Sequence, residues 1–120
     1  MATAPRLVRA TTLDATPLTV AVYELPEVSV GLFVARVVAR TAAGVRGAWM
    51  ISAAVGRETG GAASLVGVAQ DLMVAQTDVA AVTWDATMDA AGTEARVRVT
   101  GQASTTIDWA VLLLPMVNVP

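Results

Sequence analysis

The segment from residue 82 to residue 100 alternates twice, and that pattern constrains the fold more than any other stretch of the chain. In 82–89, Trp84, Ala86 and Met88 fall on one face, with Asp85, Thr87 and Asp89 on the other. After a turn-like segment, 89–94, that contains Gly92, Val97 and Val99 face one way, and Arg96, Arg98 and Thr100 the other. A two-residue period belongs to half-buried strands, and two such runs around a Gly-bearing turn make a hairpin. A register that pairs Met88 with Val97 sets Asp89 opposite Arg96; slipping it by two residues sets Asp85 opposite Arg98 instead. Exposed pairs of this kind contribute about 0–1 kcal/mol and tune register. Burial of Trp84, Met88, Val97 and Val99, at about 1.5–3 kcal/mol per large side chain, decides the fold there.

The same reading extends along the chain. Segment 18–25, LTVAVYEL, alternates and is stopped by Pro26. In 28–41 the β-branched residues favour a strand, bulged near Gly31, over a helix that would put Arg36 and Arg40 on one face. Segment 45–55 is a strand with Trp49 and Ile51 on one face, closed by the Gly-rich turn 56–62. Segments 65–68 and 72–75 read as short strands or one irregular strand, with a helix over 66–75 as the alternative. The last strand, 105–114, sets Ile107, Trp109, Val111 and Leu113 on one face and Thr106, Asp108, Ala110, Leu112 and Leu114 on the other. Its second half is apolar on both faces, so it lies at the centre of a two-sheet core or against another subunit. Seven or eight strands with Gly-rich turns predict an all-β fold, an antiparallel β-sandwich that is jelly-roll-like. Segment 1–27 is read as an extended N-terminal arm with a first strand, serving as an anchor, and 28–120 as the sandwich domain.

The residue inventory removes most chemistry. The 120 residues include no His and no Cys, which excludes His-based triads and proton shuttles, thiolate nucleophiles and the usual zinc ligands. The Ser and Thr hydroxyls therefore lack their usual activating partner, and no enzyme is expected. All eight basic residues are Arg, spread along a chain of net charge −2, so neither nucleic acid nor a membrane surface is an expected partner. Arg36 and Arg40 interrupt the longest apolar run before it reaches the roughly 18 residues of a span, and the N-terminal segment lacks the apolar stretch of a secretory signal. Asp85 and Asp89 share a strand face but lie roughly 13 Å apart by strand rise, too far to act as one carboxylate pair. No cofactor is expected; a loop-bound Ca²⁺ held by backbone carbonyls and one Asp would leave little sequence trace. The three Trp are read as core residues rather than a sugar platform. Only 15% of residues are charged, against about a quarter in ordinary soluble domains, which favours an assembly over a lone monomer.

The stretch from Trp84 to Trp109, WDATMDAAGTEARVRVTGQASTTIDW, resembles the C-terminal β-sandwich module of tailed-bacteriophage tail-fibre, appendage and related virion structural proteins. The features that carry the likeness are Trp84, Gly92, Val99-Thr100-Gly101 and Thr106-Ile107-Asp108-Trp109. Upstream they are Val38-Ala39-Arg40, Ala48-Trp49-Met50-Ile51, Gly60-Gly61 and Ser64-Leu65-Val66-Gly67, so that the likeness spans about residues 28 to 113. The resemblance implies a non-enzymatic building block of a virion, commonly trimeric, assembled in the bacterial host cytoplasm. In the resembling proteins the module ends a much longer chain, whereas here it is nearly the whole sequence. That fits a decoration, head-fibre or tail-appendage subunit joined to capsid, neck or tail proteins by the N-terminal arm. Trp84, Trp109, Leu112, Leu113, Leu114 and Met116 are the expected core or intersubunit residues. The second reading is a receptor- or carbohydrate-binding module that takes a host surface glycan on loops 57–61 and 89–94.

Overall fold

The computed structural model describes residues 5–120; the first four residues of the expected arm lie outside them. The described chain is all-β, with one 3₁₀ turn at Val79–Ala81. One sheet holds β1 (Arg6–Thr12), β10 (Ile107–Asn118), β3 (Ser29–Arg40) and β4 (Arg46–Arg57) in that order. Three two-residue strands, β5 (Ser64–Leu65), β6 (Gln70–Asp71) and β7 (Gln76–Thr77), pair in turn with the free edge of β4. The second sheet is β2 (Leu18–Glu24), β9 (Glu94–Thr100) and β8 (Asp85–Ala91). All pairings are antiparallel.

The sandwich is wound from both ends of the chain. β1 pairs with β10 in one sheet and β2 with β9 in the other, the crossing that gives a jelly roll its character. The winding departs from that scheme where β3 turns back as a hairpin with β4 and β8 stays on β9. Residues 6–24, expected as an arm with a first strand, are therefore two strands, one in each sheet. Thr12 is buried and accepts a 2.8 Å hydrogen bond from Trp109 Nε1. Arg6 reaches across to donate to the Val22 carbonyl at 2.9 Å. The return from β2 to β3 is made by Pro26 and by Val28, whose φ of 55° is rare for a β-branched residue and reverses the chain sharply.

Alternation fixes which faces meet. Phe33, Ala35, Val37, Ile51, Val55, Ile107, Val111 and Leu113 point inward from the large sheet, and Ala86, Met88, Ala95, Val97 and Val99 from the small one, all buried. Trp109 lies at the centre, with its ring centroid 5.4 Å from that of Trp49 and 6.1 Å from that of Trp84. A second aromatic contact, Tyr23 with Phe33 at 5.3 Å, joins the sheets farther along.

Two expectations are revised and one of the two expected hairpin registers forms. The bulge near Gly31 is absent: β3 pairs without a break, and Gly31 is needed because the Phe33 ring lies where its Cβ would be, 2.6 Å from Cε2. The one register shift in the small sheet falls between Thr19 and Ala21. The expected loop 89–94 shrinks to Gly92-Thr93, since pairing runs on to Ala91 with Glu94; Gly92, at φ 57°, takes the first position of a II′-type turn. The Met88–Val97 register forms, and Arg96 holds Asp89 by two bonds of 2.8 and 2.9 Å.

Segment 64–78 is an irregular strap in which three two-residue strands touch β4 in turn, so the expected short strands form, shifted along the chain, and the alternative helix over 66–75 does not. The amides of Val66, Leu72 and Asp78 donate to the carbonyls of Ala54, Met50 and Arg46 at 2.8, 2.8 and 2.9 Å. Six residues of this strap thus advance for every four of β4, and the surplus is shed as bulges. Such bulging blunts a sheet edge that would otherwise offer a template for strand addition.

Candidate functional site

The outward face of the large sheet is the surface that chain composition leaves unexplained. Successive rows across β10, β3 and β4 read Leu112–Arg36–Met50, Leu114–Val34–Ser52, Met116–Leu32–Ala54 and Asn118–Val30–Gly56, with Leu7 of β1 beside Leu112. Val66 of the strap lies against Gly56 and extends the surface. Across these four rows Arg36 is the one charged side chain. Leu7 and Met116 are 62% and 68% exposed, and Val30 and Leu32 are also exposed. A contiguous apolar sheet face of this kind marks an interaction surface.

The expected site residues divide between the two sides of the sheet. Trp84, Trp109 and Leu113 face the core and are buried; Leu112 and Leu114 are half-buried on the outer face; Met116 is exposed on it. The apolar character that 105–114 shows on both faces thus serves two surfaces, one inside the sandwich and one outside.

At the other end the face changes character. Ala110, Val38 and Ala48 form one row and Asp108, Arg40 and Arg46 the next, with Arg9 and Thr11 of β1 alongside. Apart from Thr11 these residues line, with Gln76, Thr77 and Asp78 of the strap, an open groove of about 690 Å³. Along β10 the groove ends at Ala110 and the apolar rows begin at Leu112, two residues or about 7 Å on, so the groove and the apolar rows are adjoining halves of one face.

Asp78 closes the groove's strap side. It accepts from Arg46 Nε at 3.1 Å, Arg46 Nη2 at 3.2 Å and the Arg46 backbone amide at 2.9 Å. These bonds hold the Asp78 carboxyl below the ordinary carboxylate range and raise the Arg46 guanidinium. With the folded value depressed, the latch's contribution is complete above the ordinary carboxylate pKa of about 3.9 and is lost as pH falls through the lowered value. The protection factor of the Asp78 amide, which donates to the Arg46 carbonyl, is therefore expected to hold from neutral pH to about pH 4 and to fall below it; Asp78→Asn should lower the protection of that amide at all pH values and flatten the dependence. An unchanged profile in the variant would remove Asp78 from this role.

The loops expected to present a glycan are occupied by internal bonds. Arg57 donates to the carbonyls of Gly61 and Leu25, both at 2.9 Å, and lies 3.7 Å from Glu27; the Gly60 amide donates to Glu27. The Gly92 and Thr93 carbonyls accept from Ala63 and Leu25. This end is a tied-off corner. Among the described residues no three acidic side chains gather as a metal cluster, and no helix is long and apolar enough to cross a membrane.

No protein-family model and no curated protein matches the chain. Among solved structures it is similar to the tailspike protein of Acinetobacter baumannii phage AM24, with a TM-score of 0.50 and 16% identity. The match covers 93% of this chain and 26% of the tailspike, so the chain corresponds to about a quarter of that protein. At that identity the likeness establishes the fold: nearly all of this chain has the form of an all-β portion of a phage tailspike.

Proposed function

We propose that the chain is a non-enzymatic structural component of a phage tail or phage-like particle that self-associates, as a trimer, through the apolar half of the large sheet's outer face. The observation that carries this reading is the run of four rows in which Arg36 is the one charged side chain and Ser52 and Asn118 the other polar ones, on a sheet whose opposite face already fills the core. A second copy is the fitting occupant, because leucine, valine and methionine rows complement themselves and bear no charge pattern that would select a different partner. The tailspike likeness supports a place in the virion, and the absence of His and Cys supports a role without chemistry. Placement in a decoration, head-fibre or tail-appendage position belongs to the same proposal, as does attachment to other virion proteins.

Light scattering across a dilution series tests it. The chain is expected at the mass of a trimer, and Leu32→Lys with Leu114→Lys should reduce it to a folded monomer, since the introduced charges would have to be buried unpaired. A wild-type monomer at every concentration, or a double variant of unchanged mass, would reject the face as the interface.

A further inference from the structure

We propose that the strap is the second half of the assembly interface: residues 66–74 of one copy pack on the apolar rows of the next, with Asp71 of the strap paired to Arg36 of those rows. The assignment rests on self-association through the outer face and names the surface that the face meets.

A three-fold ring needs such a surface. Closure around three copies is heterologous, so each copy contributes two different patches, and the four rows are only one of them. The strap supplies the other. Val66, Val68, Leu72 and Val74 are all exposed there. Val68 and Val74, at 78% and 87% exposure, lie in the two unpaired stretches, 66–69 and 72–75, between the strap's pairings with β4. Bulges that served only to blunt the sheet edge would carry charged or polar side chains, whereas these hold valine out to solvent. The same bulges block backbone pairing with a further strand, so the strap meets a partner through side chains.

Charge selects the partner. Arg36 is the one charged side chain in the four rows, and Asp71 is the one charged residue between Ser64 and Thr77. Both are exposed, and neither has an ion-pair partner among the described residues. They also lie at nearly one level: Arg36 pairs with Met50 and Asp71 with Ile51, one residue or about 3.3 Å apart along the strands. With β4 between them they stand two strand spacings apart, about 10 Å, and do not meet within one copy. A three-fold axis running along the strands brings residues of equal level in neighbouring copies together. Face against face would gather three Arg36 side chains with no carboxylate in the rows, leaving like charges buried unpaired. Strap against face gives each Arg36 a neighbour's Asp71, and sets Val68 at the level of the Leu32 and Val34 rows.

Light scattering of the full chain across a dilution series is the test, with near-ultraviolet circular dichroism of the Trp cluster as the control for folding. Val68→Lys with Val74→Lys, both outside the core, should reduce the trimer to a folded monomer, as Leu32→Lys with Leu114→Lys does. Arg36→Asp and Asp71→Arg should each weaken association about tenfold or more, and the chain carrying both should return to within about threefold of the wild type. A strap variant that stays trimeric, Asp71→Arg at wild-type strength, or an exchanged pair no stronger than its weaker single variant would overturn the proposal and leave the outer-face reading standing. A wild-type monomer, or an unchanged mass in the Leu32 and Leu114 variant, would reject the outer-face reading itself, so the two failures are distinguishable.

Discussion

Replacing Trp109 with alanine is expected to lower the unfolding free energy by about 3–5 kcal/mol, the usual cost of deleting a large buried aromatic. The magnitude follows from position. The ring is 1% exposed, and its two tilted aromatic contacts come one from each sheet: Trp49 in β4 and Trp84 at the start of β8. Alanine would empty the space that both rings pack against, and rigid strands on either side cannot collapse to fill it. Trp109→Phe keeps part of the volume but orphans the Thr12 hydroxyl, so a smaller loss of about 1–3 kcal/mol is expected. Urea unfolding of the three proteins reads both values from shifts in the midpoint at constant slope. An alanine variant within about 1 kcal/mol of the wild type would show that this cluster does not join the sheets. The groove would suffer with the core, because the residues flanking Trp109, Asp108 and Ala110, line it.

What was legible in the sequence was what local alternation determines. Trp84, Met88, Val97 and Val99 exclude a one-residue slip of their hairpin, which would turn one strand's set outward, and leave two registers two residues apart, of which the Met88–Val97 one forms. The inward set Ile107, Trp109, Val111 and Leu113 is read from period two in the same way. Pairings between distant segments leave no such trace. Nothing local in Arg6–Thr12 announces β10 as its partner, because Thr12 earns its burial only from an indole ninety-seven residues away. Gly31 pointed to a bulge when its reason is the ring of Phe33, two residues on. The strap's six-to-four stride depends on carbonyls of β4, so its short apolar segments were equally compatible with a helix. The groove was illegible for the same cause: Arg9, Arg40, Arg46, Asp78 and Asp108 come from five strands or their ends and meet only after pairing. The apolar outer face was half legible, in the low charge and the two-sided second half of 105–114.

Deleting residues 1–14 is expected to destabilise the domain by about 3 kcal/mol or more and to remove its cooperative unfolding under mild conditions. A dispensable arm would make the same deletion harmless to the fold and harmful only to assembly. The pairing pattern decides between them. β1 covers the edge of β10 from Ile107 to Leu113, so its loss would open that edge to water and to strand addition by other chains. It would also leave the Trp109 Nε1 donor buried without Thr12, at about 1–3 kcal/mol, and strip Val8 from the flank of the core. The interstrand bonds of β1 and the Arg6 contact to Val22 would be lost as well. Urea denaturation with near-ultraviolet circular dichroism distinguishes the cases, since the Trp49–Trp109–Trp84 cluster reports the packing directly. A truncated chain with an unchanged midpoint and aromatic signal would return Arg6–Thr12 to the status of an arm. A lowered or vanished transition would mean that assembly defects caused by this deletion are consequences of unfolding, and that the interface has to be probed by Leu32 and Leu114, whose outward side chains can be changed without touching the core.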